Sequence, residues 1–598
     1  MSALTTAILF IFSLFAAQLL RVQGFDAAAT QKAALDERVV KETLPAVRGT
    51  IRSSDGTVLA SSLERVTVVA DQTAVCTYHA ADTSRCRPES SPKALHDATA
   101  ALAPLLGMKP AVLRPMLTGT LRWRVLQHEV TPLTWRTIRA LGIPGIYAAN
   151  EPVMKRTYPT TTTAASLIGF VNAAGDPGGG VELMLQSALA GKPGFTAYQK
   201  SLDGQPIPNA PITTEPAQAG KDVTLTIDSD LQWYAQNALA QKVNEVDALS
   251  GTVVVMDPRD GRLLALASYP TFDPNSYGKA TGSLSNLAFT DVFEPGSTAK
   301  VMTMSAALES GKVSTRSVFE VPPSLRRADF TLKDSHEHGT EYLTTGGVMA
   351  VSSNIGTVMA GERMSAQELD TYFRRFGMGS TTGTGFPGES KGLFPSFRTW
   401  NGSQRYTVMY GQGVSVTALQ AAGVFQTIAN DGVRVAPRLV QSMSDGEGGQ
   451  VATKQGASTR VVSAETARTM RQMLEGVVSK EGTAPEAQID GYRVAGKTGT
   501  ADRYDEKAKG YSGYTASFIG MAPADDPQLV VAVIVQRPVK GHYGGSIAGP
   551  VFHDVMSYAL QKEGVPPTGT KAPTISTKPA TTPSATDTSV IRDRGSDG

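Results

Sequence analysis

The hydrophobic and polar positions at the start of the chain predict a membrane anchor followed by an irregular module. The uncharged apolar run Ala3–Leu20 would rise about 27 Å as a helix, close to the thickness of a hydrocarbon core. Residues 25–220 mix short strand-like runs such as Val66–Ala70 with a helical period at Ala94–Leu106 and frequent Gly and Pro. We therefore expect a transmembrane anchor over residues 1–24 and an irregular α+β module after it.

The pattern is more regular from residue 221 onward. Val223–Asp228 is typical of a strand, and Leu231–Val243 has the apolar period of a helix. Two apolar runs, Gly251–Asp257 and Arg262–Ser268, are separated by a Pro-Arg-Asp-Gly turn and predict a β-hairpin. Residues 221–565 are therefore expected to form a second α+β domain.

The last stretch, residues 566–598, is rich in Thr, Pro, Ser and Ala and has no apolar period. A segment of this composition cannot bury a core of its own. It is predicted to be a disordered tail, and the chemistry of the second domain is not expected to depend on it.

Composition bounds the function classes. The 598 residues include 56 Lys and Arg and 54 Asp and Glu, a net charge of +2, with 41% hydrophobic and 18% charged residues. These values allow two to four folded domains and exclude a wholly disordered chain or a polytopic membrane protein. The near-zero net charge also argues against a nucleic-acid-binding protein. Cys76 and Cys86 are the two cysteines, and no Cys/His spacing resembles a zinc site.

The apolar run could also be a cleaved signal peptide. No Lys or Arg precedes it and no A-x-A-like site closes it, which favours an uncleaved anchor. Arg21, Lys32, Arg38 and Lys41 follow the run, so the positive-inside rule alone would place the bulk of the chain in the cytoplasm. A basic stretch upstream of this start would reverse that orientation.

The first motif that carries chemistry is Ser297-Thr-Ala-Lys300, preceded by Glu-Pro-Gly. The Pro-Gly turn is expected to deliver Ser297 to the start of an apolar helix, with Lys300 on the same face. A lysine with a lowered pKa can activate a serine hydroxyl, and a helix start favours a developing oxyanion. The same spacing at Ser90–Lys93 and Ser276–Lys279 contains Pro or Gly and opens no apolar helix.

The second motif is Ser352-Ser353-Asn354, which follows the apolar-flanked segment Gly346–Val351. A serine hydroxyl can relay a proton, and an asparagine amide can both donate to and accept from a peptide. Taken alone, the motif could equally cap a helix or close a turn.

The third motif is Lys497-Thr498-Gly499-Thr500, entered from Tyr492-Arg-Val-Ala-Gly. This segment is typical of a strand with a glycine that lets another backbone approach closely. A lysine beside two hydroxyls can hold a carboxylate.

In this order and spacing the three motifs resemble those of the active-site serine penicillin-recognising enzymes. The rest of the chain resembles the class B penicillin-binding proteins within that group. Asp334–His338, Thr417–Gln420 and Ile428–Gly432 are more similar to the division-specific (septal) branch, of actinobacterial type, than to the elongation branch. Further segments similar to the family's pattern are Arg48–Ile51, Asp55–Gly56, Leu59–Ala60, Arg156–Pro159, Gly180–Glu182, Leu189–Gly191, Leu225–Asp228, Met256–Pro258, Pro270–Asn275, Glu294–Ser297, Tyr410–Gly413, Ile428–Asn430 and Tyr543–Gly545.

The resemblance implies an α+β multidomain protein: a single N-terminal transmembrane helix, an irregular α+β pedestal or dimerisation domain, and a penicillin-binding transpeptidase domain whose central antiparallel sheet is flanked by helices. It implies D,D-transpeptidation of peptidoglycan. Ser297 would attack the penultimate D-Ala carbonyl with Lys300 as its base, and an amine from a neighbouring stem would resolve the acyl-enzyme. Ser352 and Lys497 would pass the proton to the leaving amine; whether Lys300 or Ser352 is the base in each step stays open.

The resemblance also assigns the residues that bind substrate. Asn354 would align the stem peptide, and Thr498 would help Lys497 hold the terminal carboxylate beside Gly499. The backbone N–H groups of Ser297 and Thr500 would form the oxyanion hole.

The implied partners are peptidoglycan stem peptides that end in D-Ala-D-Ala, glycan derived from a lipid-linked precursor, β-lactams, and the membrane. No glycosyltransferase domain is evident, so a polytopic glycosyltransferase and divisome proteins are expected as partners. No cofactor, metal or nucleic acid is expected, since the His336–His338 pair lacks a third ligand nearby. The location implied is the cell membrane, single-pass, with an extracytoplasmic catalytic domain. In an exported chain Cys76 and Cys86 would form a disulfide, the alternative being two free thiols.

Three other functions stay open. An elongation-type transpeptidase of the same family is the nearest. A serine β-lactamase would need a second base, but no Glu-x-x-x-Asn lies between Ser352 and Lys497, and the chain is about twice the length such an enzyme needs. A non-enzymatic β-lactam sensor or scaffold is disfavoured because all three motifs keep their reactive residues, and because the segment before the anchor is too short for an output module.

Overall fold

The chain folds into two units that alternate along the sequence, as seen in a computed structural model. The first comprises residues 1–49, 62–155 and 187–221, and the second residues 50–61, 156–186 and 222–598. Cys76 and Cys86 lie outside the described residues, so their predicted disulfide stays a prediction. The residues that the structure describes are 2–25, 32, 38–75, 78, 92–149, 153–201, 207–208, 212–446, 448–505, 509–584 and 586–593.

Strands supply the framework of both units. In chain order they are β1 (Val39–Leu44), β2 (Ile51–Arg52), β3 (Val58–Ala70), β4 (Arg124–Val130), β5 (Ile146–Ala148), β6 (Val153–Thr157), β7 (Gly194–Gln199), β8 (Thr213–Glu215), β9 (Val223–Leu225), β10 (Ser250–Met256), β11 (Leu263–Tyr269), β12 (Val292–Phe293), β13 (Val318–Val321), β14 (Leu325–Arg327), β15 (Phe330–Leu332), β16 (Glu341–Thr344), β17 (Val416–Thr417), β18 (Val433–Val435), β19 (Val440–Ser444), β20 (Gln450–Ala452), β21 (Ser458–Arg460), β22 (Ala495–Asp505), β23 (Gly510–Ala522), β24 (Leu529–Gln536) and β25 (Val590–Ile591).

Helices pack on these strands and connect them. In chain order they are α1 (Ser2–Leu20), α2 (Gln72–Val75), α3 (Pro92–Leu106), α4 (Pro110–Leu117), α5 (Pro132–Ala140), α6 (Ala165–Ile168), α7 (Gly180–Met184), α8 (Gln186–Leu189), α9 (Ser229–Glu245), α10 (Leu287–Thr290), α11 (Lys300–Glu309), α12 (Thr345–Ala350), α13 (Asn354–Gly361), α14 (Ala366–Arg375), α15 (Gln404–Thr407), α16 (Ala418–Ala429), α17 (Ala464–Glu475) and α18 (Gly544–Lys562).

The first unit contains the apolar helix and a small core. The helical stretch Ser2–Gly24 is long and apolar enough to cross a membrane, which is compatible with a single-pass membrane protein. Strands β1, β7 and β8 form an antiparallel sheet. The predicted helix around Ala94–Leu106 is α3, whose Leu95, Ala98 and Leu102 are buried because they recur on one face.

The second unit is built on a five-stranded antiparallel sheet of order β11-β10-β24-β23-β22. Strands β10 and β24 are buried along their whole length, since α9, α16 and α18 pack on the sheet. The hairpin predicted at residues 251–268 is the pair β10–β11, and the predicted helix after Asp228 is α9, capped by that carboxylate. A sheet flanked by helices was the predicted architecture.

One expectation is wrong: described residues of the C-terminal tail, 566–584 and 586–593, lie on the second unit rather than being disordered. The Thr344 amide donates to the Thr577 carbonyl (3.1 Å), and β25 pairs in parallel with β13. Val590 and Ile591 are each 7% exposed. The composition predicted disorder because this segment cannot build a core of its own. In the structure its backbone pairs with groups of the folded domain, and it adds two apolar side chains to an existing core.

Candidate active site

The turn that carries Ser297 is held by close backbone contacts. Gly296 has a φ of +53°, and its amide donates to the Gly411 carbonyl (3.0 Å). A Cβ on Gly411 would lie 2.2 Å from the Gly296 carbonyl oxygen, so only glycine fits there. The predicted helix start is a 3-10 turn over Gly296–Ala299 that runs directly into α11. Ser297 is half-buried and lines a cavity of about 550 Å³.

Lys300 lies in the first turn of α11 and is fully buried. Its Nζ donates to the backbone carbonyl of Ser352 (2.6 Å) and to the Ser352 hydroxyl (3.2 Å). Burial lowers the pKa of Lys300 to about 7, with the carboxylate of Asp334 acting in the opposite direction. An amine with such a pKa is available as a base near neutral pH.

Ser352 adopts a left-handed conformation in the turn between α12 and α13. Its φ is +61°, a strained value for a serine, and it directs both its carbonyl and its hydroxyl to Lys300. The next residue, Ser353, caps α13 by accepting from the Gly356 amide (2.9 Å). The second motif thus contains the helix cap that the sequence allowed, and its Ser352 hydroxyl also lies within hydrogen-bonding distance of Lys300.

Asp334 organises this turn, although sequence reasoning used it only as a marker of the family branch. Its carboxylate accepts from the Ser353 hydroxyl (2.7 Å), the Asn354 amide (2.6 Å) and the Ile355 amide (3.0 Å). Only 3% of its side chain is exposed, and His338 Nε2 lies 3.2 Å from Oδ2. A buried carboxylate at the first amides of α13 also complements the helix dipole.

The third motif lies on β22 at the edge of the sheet. Lys497 is fully buried, and its Nζ donates to the Thr498 hydroxyl (3.1 Å) and carbonyl (3.3 Å). Burial, and then the positive charge of Lys300, hold the pKa of Lys497 well below its ordinary value. The Thr498 hydroxyl also lies 2.8 Å from that of Thr483, a cavity residue that sequence reasoning missed.

Gly499 allows β22 to lie close to the turn that carries Ser297, as expected for a glycine in this motif. A Cβ there would lie 2.3 Å from the Ser517 hydroxyl and 3.0 Å from the Pro295 carbonyl. The Thr500 hydroxyl accepts from the Gly544 amide (3.1 Å), which joins the start of α18 to this edge. Asn354 donates through its side-chain amide to the Lys333 carbonyl (3.0 Å).

One cavity brings the three motifs together. Ser297, Ser352, Asn354, Thr498 and Thr500 all line it, while the two lysines are buried beside it. Its walls also carry aromatic side chains. Tyr410 and Tyr543 begin segments that the sequence singled out, whereas Phe330, Tyr514 and His542 were not singled out. The cavity therefore combines a serine hydroxyl, hydrogen-bonding groups and aromatic surface, with two buried amines beside it.

The His336–His338 pair is the arrangement for which the sequence raised a metal site. The rings of His336 and His338 lie 5.5 Å apart, and the described residues contain no group of three or more His, Cys, Asp or Glu side chains arranged to hold a metal ion.

Two family models match the chain. The penicillin binding protein transpeptidase domain matches residues 251–557, and the penicillin-binding protein dimerisation domain matches residues 43–225. The chain belongs to the class B penicillin-binding proteins. All residues of the three motifs lie within the span matched by the transpeptidase domain.

The similar proteins agree with this family assignment. The penicillin-binding protein PbpB of Mycolicibacterium smegmatis is 33% identical over 94% of this chain and 90% of its own length. The peptidoglycan D,D-transpeptidase FtsI of Escherichia coli is 33% identical over 75% of this chain and 73% of its own. Penicillin-binding protein 3 of Mycobacterium tuberculosis in complex with aztreonam is 30% identical, with a TM-score of 0.69 over 90% of this chain and 100% of that one.

Proposed function

We propose that this penicillin-binding protein is a serine D,D-transpeptidase that cross-links peptidoglycan stem peptides through an acyl-enzyme at Ser297. The observation that carries the proposal is the buried Lys300, which donates to both the carbonyl and the hydroxyl of Ser352 beside a cavity lined by Ser297. In this proposal residues 25–220 form the pedestal and residues 221–565 the catalytic domain.

Acylation would begin with removal of the Ser297 proton. Lys300 is the fitting acceptor, since its lowered pKa leaves much of the amine neutral near pH 7. The serine oxygen then bonds to the penultimate D-Ala carbonyl carbon, whose oxygen takes up the negative charge. The backbone N–H groups of Ser297 and Thr500 are the donors proposed for that oxyanion, and losing one such donor typically costs about 3 kcal/mol.

The proton must next reach the nitrogen of the leaving D-Ala. Ser352 is suited to this relay because its hydroxyl is 3.2 Å from Lys300 and it lines the cavity. When the C–N bond breaks, the ester to Ser297 remains. An amine of a second stem then attacks the ester, transfers its proton back along the same route and frees the serine, which completes the cross-link.

Lys497 and its neighbours would bind the terminal carboxylate. In the unliganded site the pKa of Lys497 is lowered by burial and by Lys300, so an arriving carboxylate favours its protonation. The hydroxyls of Thr498 and Thr500 face the same cavity, and Gly499 leaves β22 close to the nucleophile turn. Asn354 would hold the peptide on the opposite side. β-Lactams carry a carboxylate beside a reactive amide and would acylate the same serine.

A septal role agrees with relatives named PbpB and FtsI. In this proposal α1 anchors the chain in the membrane, with the catalytic domain on the extracytoplasmic side. The domains matched are a transpeptidase and a dimerisation domain, and the proposed partners are a polytopic glycosyltransferase, which would polymerise the glycan, and other division proteins.

The experiment is labelling of the full-length protein in membranes with a fluorescent penicillin, followed by intact-mass and peptide analysis. The proposal predicts one adduct per chain, on Ser297, and release of D-Ala from a stem peptide when an acceptor amine is present. An adduct on another residue, or hydrolysis without cross-linking even with abundant acceptor, would contradict it.

A further inference from the structure

The tail, defined as the described residues 566–584 and 586–593, contacts the second unit at several points. Near its start the Thr568 amide donates to the Gly491 carbonyl (3.1 Å). The Thr570 hydroxyl donates to the carboxylate of Asp525 (2.9 Å). These contacts fix the direction of the chain as it leaves the region of α18.

The middle of the tail contacts the start of α12. Thr344 caps this helix, since its hydroxyl accepts from the Gly347 amide (2.9 Å). The same residue donates from its hydroxyl to the Ser576 carbonyl (2.6 Å) and from its amide to the Thr577 carbonyl (3.1 Å). A Cβ on Gly347 would lie 2.0 Å from the Thr577 carbonyl oxygen, so the two backbones touch where a side chain could not fit.

The end of the tail adds a strand to the antiparallel pair β13–β16, which leads into α12. Strand β25 pairs in parallel with β13, and β13 pairs with β16, whose last residue is the capping Thr344. Val590 and Ile591 are nearly fully buried there, and Arg592 donates through Nε to Glu320 (2.8 Å).

The last described residue reaches the second helix of the site. Asp593 lies 2.9 Å from the guanidinium of Arg327, which is 5% exposed. The same guanidinium donates to both carboxylate oxygens of Glu362 (2.8 and 3.0 Å), directly after α13. The tail therefore contacts the start of α12 and, through Arg327, the end of α13, the two helices that enclose Ser352.

We propose that the tail is a positioning element of the transpeptidase site, which holds α12 and α13 so that Ser352 keeps its left-handed turn against Lys300. α12 has only six residues and α13 eight, so neither is stable without tertiary contacts. Strain at Ser352 persists only where the surroundings impose it. This inference rests on the proposed acylation at Ser297 and adds a segment outside the residues matched by the transpeptidase domain.

The test uses the full chain with β25 broken by the double substitution Val590→Asp and Ile591→Asp. The matched control places the same charges at the exposed positions Thr581 and Thr582 of the same tail. The conservative exchange Val590→Ile with Ile591→Val should behave as wild type. Arg592→Ala is a milder second variant that keeps the buried pair intact.

Two readouts separate positioning from general stabilisation. Stopped-flow labelling with a fluorescent penicillin gives the first-order acylation constant and the dissociation constant of the preceding complex. Hydrogen exchange reports the amides of residues 341–356. We expect the broken β25 to slow the first-order step about tenfold and to raise exchange in that segment. The dissociation constant should change less than threefold, because the residues proposed to bind the penicillin carboxylate lie on β22, and β25 does not pair with that strand.

Either of two results would overturn the inference. One is an acylation constant within twofold of wild type in the broken variant, even if its melting temperature falls. The other is equal slowing in the exposed control. Failure of the proposed function is distinguishable, because in that case the wild-type chain itself would form no adduct on Ser297.

Discussion

Replacing Asp334 by asparagine should separate the two effects of this carboxylate on the site. Oδ1 accepts from the Asn354 and Ile355 amides, and Oδ2 accepts from the Ser353 hydroxyl. An asparagine keeps one acceptor oxygen for the two amides but presents an NH2 group to Ser353. The variant therefore loses one charge-assisted hydrogen bond and weakens two others, without a change in side-chain size.

The loss can be estimated from these contacts. A hydrogen bond to a charged group contributes about 1.5–3 kcal/mol, so the turn should lose about 2 kcal/mol of stabilisation. If the transition state needs the intact turn, the maximal acylation rate should fall about 30-fold.

The same substitution should also shift the pH dependence of acylation toward lower pH. The carboxylate of Asp334 favours the charged form of Lys300 and partly offsets the burial that lowers its pKa to about 7. Without this negative charge the pKa of Lys300 falls further. Since the neutral amine is the base, the acid limb of the rate should lie near pH 7 in the wild type and at lower pH in the variant.

The assay is the first-order acylation constant of the full-length protein with a fluorescent penicillin between pH 5 and pH 8, a window set by the Lys300 pKa of about 7. Asp329→Asn is the matched control, because Asp329 is exposed between β14 and β15. An unchanged plateau, or an acid limb that stays in place or moves to higher pH, would refute the reasoning.

Substitutions at three further residues have defined outcomes, either in the same acylation assay or in unfolding. Lys497→Ala should slow acylation by a carboxylate-bearing penicillin at least about 100-fold, or about 2.7 kcal/mol, with partial rescue by Lys497→Arg; a rate within threefold of wild type would remove Lys497 from the mechanism. Thr483→Val deletes the hydroxyl beside Thr498 and should slow acylation about fivefold, a loss of about 1 kcal/mol. An unchanged rate would show that Thr483 does not contribute to acylation. The pKa of Lys300 is about 7 in the folded chain and has its ordinary, higher value in the unfolded chain. Above pH 7 the unfolded chain therefore binds a proton that the folded chain lacks, so the free energy of unfolding should rise as the pH increases from 7 toward 10. In urea unfolding at pH 7, the Lys300→Met variant should have a free energy of unfolding about 1–3 kcal/mol higher than the wild type, because it no longer buries an amine. An unchanged free energy of unfolding would contradict this.

The residues proposed to react could be located from local features of the sequence. A Pro-Gly turn before an apolar helix located Ser297, and the glycine of the third motif anticipated the close approach of β22. Both features are local, because the turn chemistry and the missing side chain act on adjacent residues. The hairpin at residues 251–268 could be predicted for the same reason.

Other parts of the site depend on contacts between distant segments. Asp334 lies 20 residues before Asn354, and no spacing rule connects a carboxylate to a helix start across two intervening elements. Thr483 reaches Thr498 only because β22 passes beside it. The tail was misjudged because composition measures whether a segment can bury its own core, whereas Val590 and Ile591 join a core that other residues build.

The central claim is that Ser297 is the nucleophile, and its most direct test is intact-mass analysis of Ser297→Ala after exposure to penicillin. The wild-type chain should gain one penicilloyl group, located on Ser297 by peptide analysis. The variant should gain none while its circular dichroism and melting temperature match the wild type. An adduct of unchanged stoichiometry on the folded variant would contradict the account.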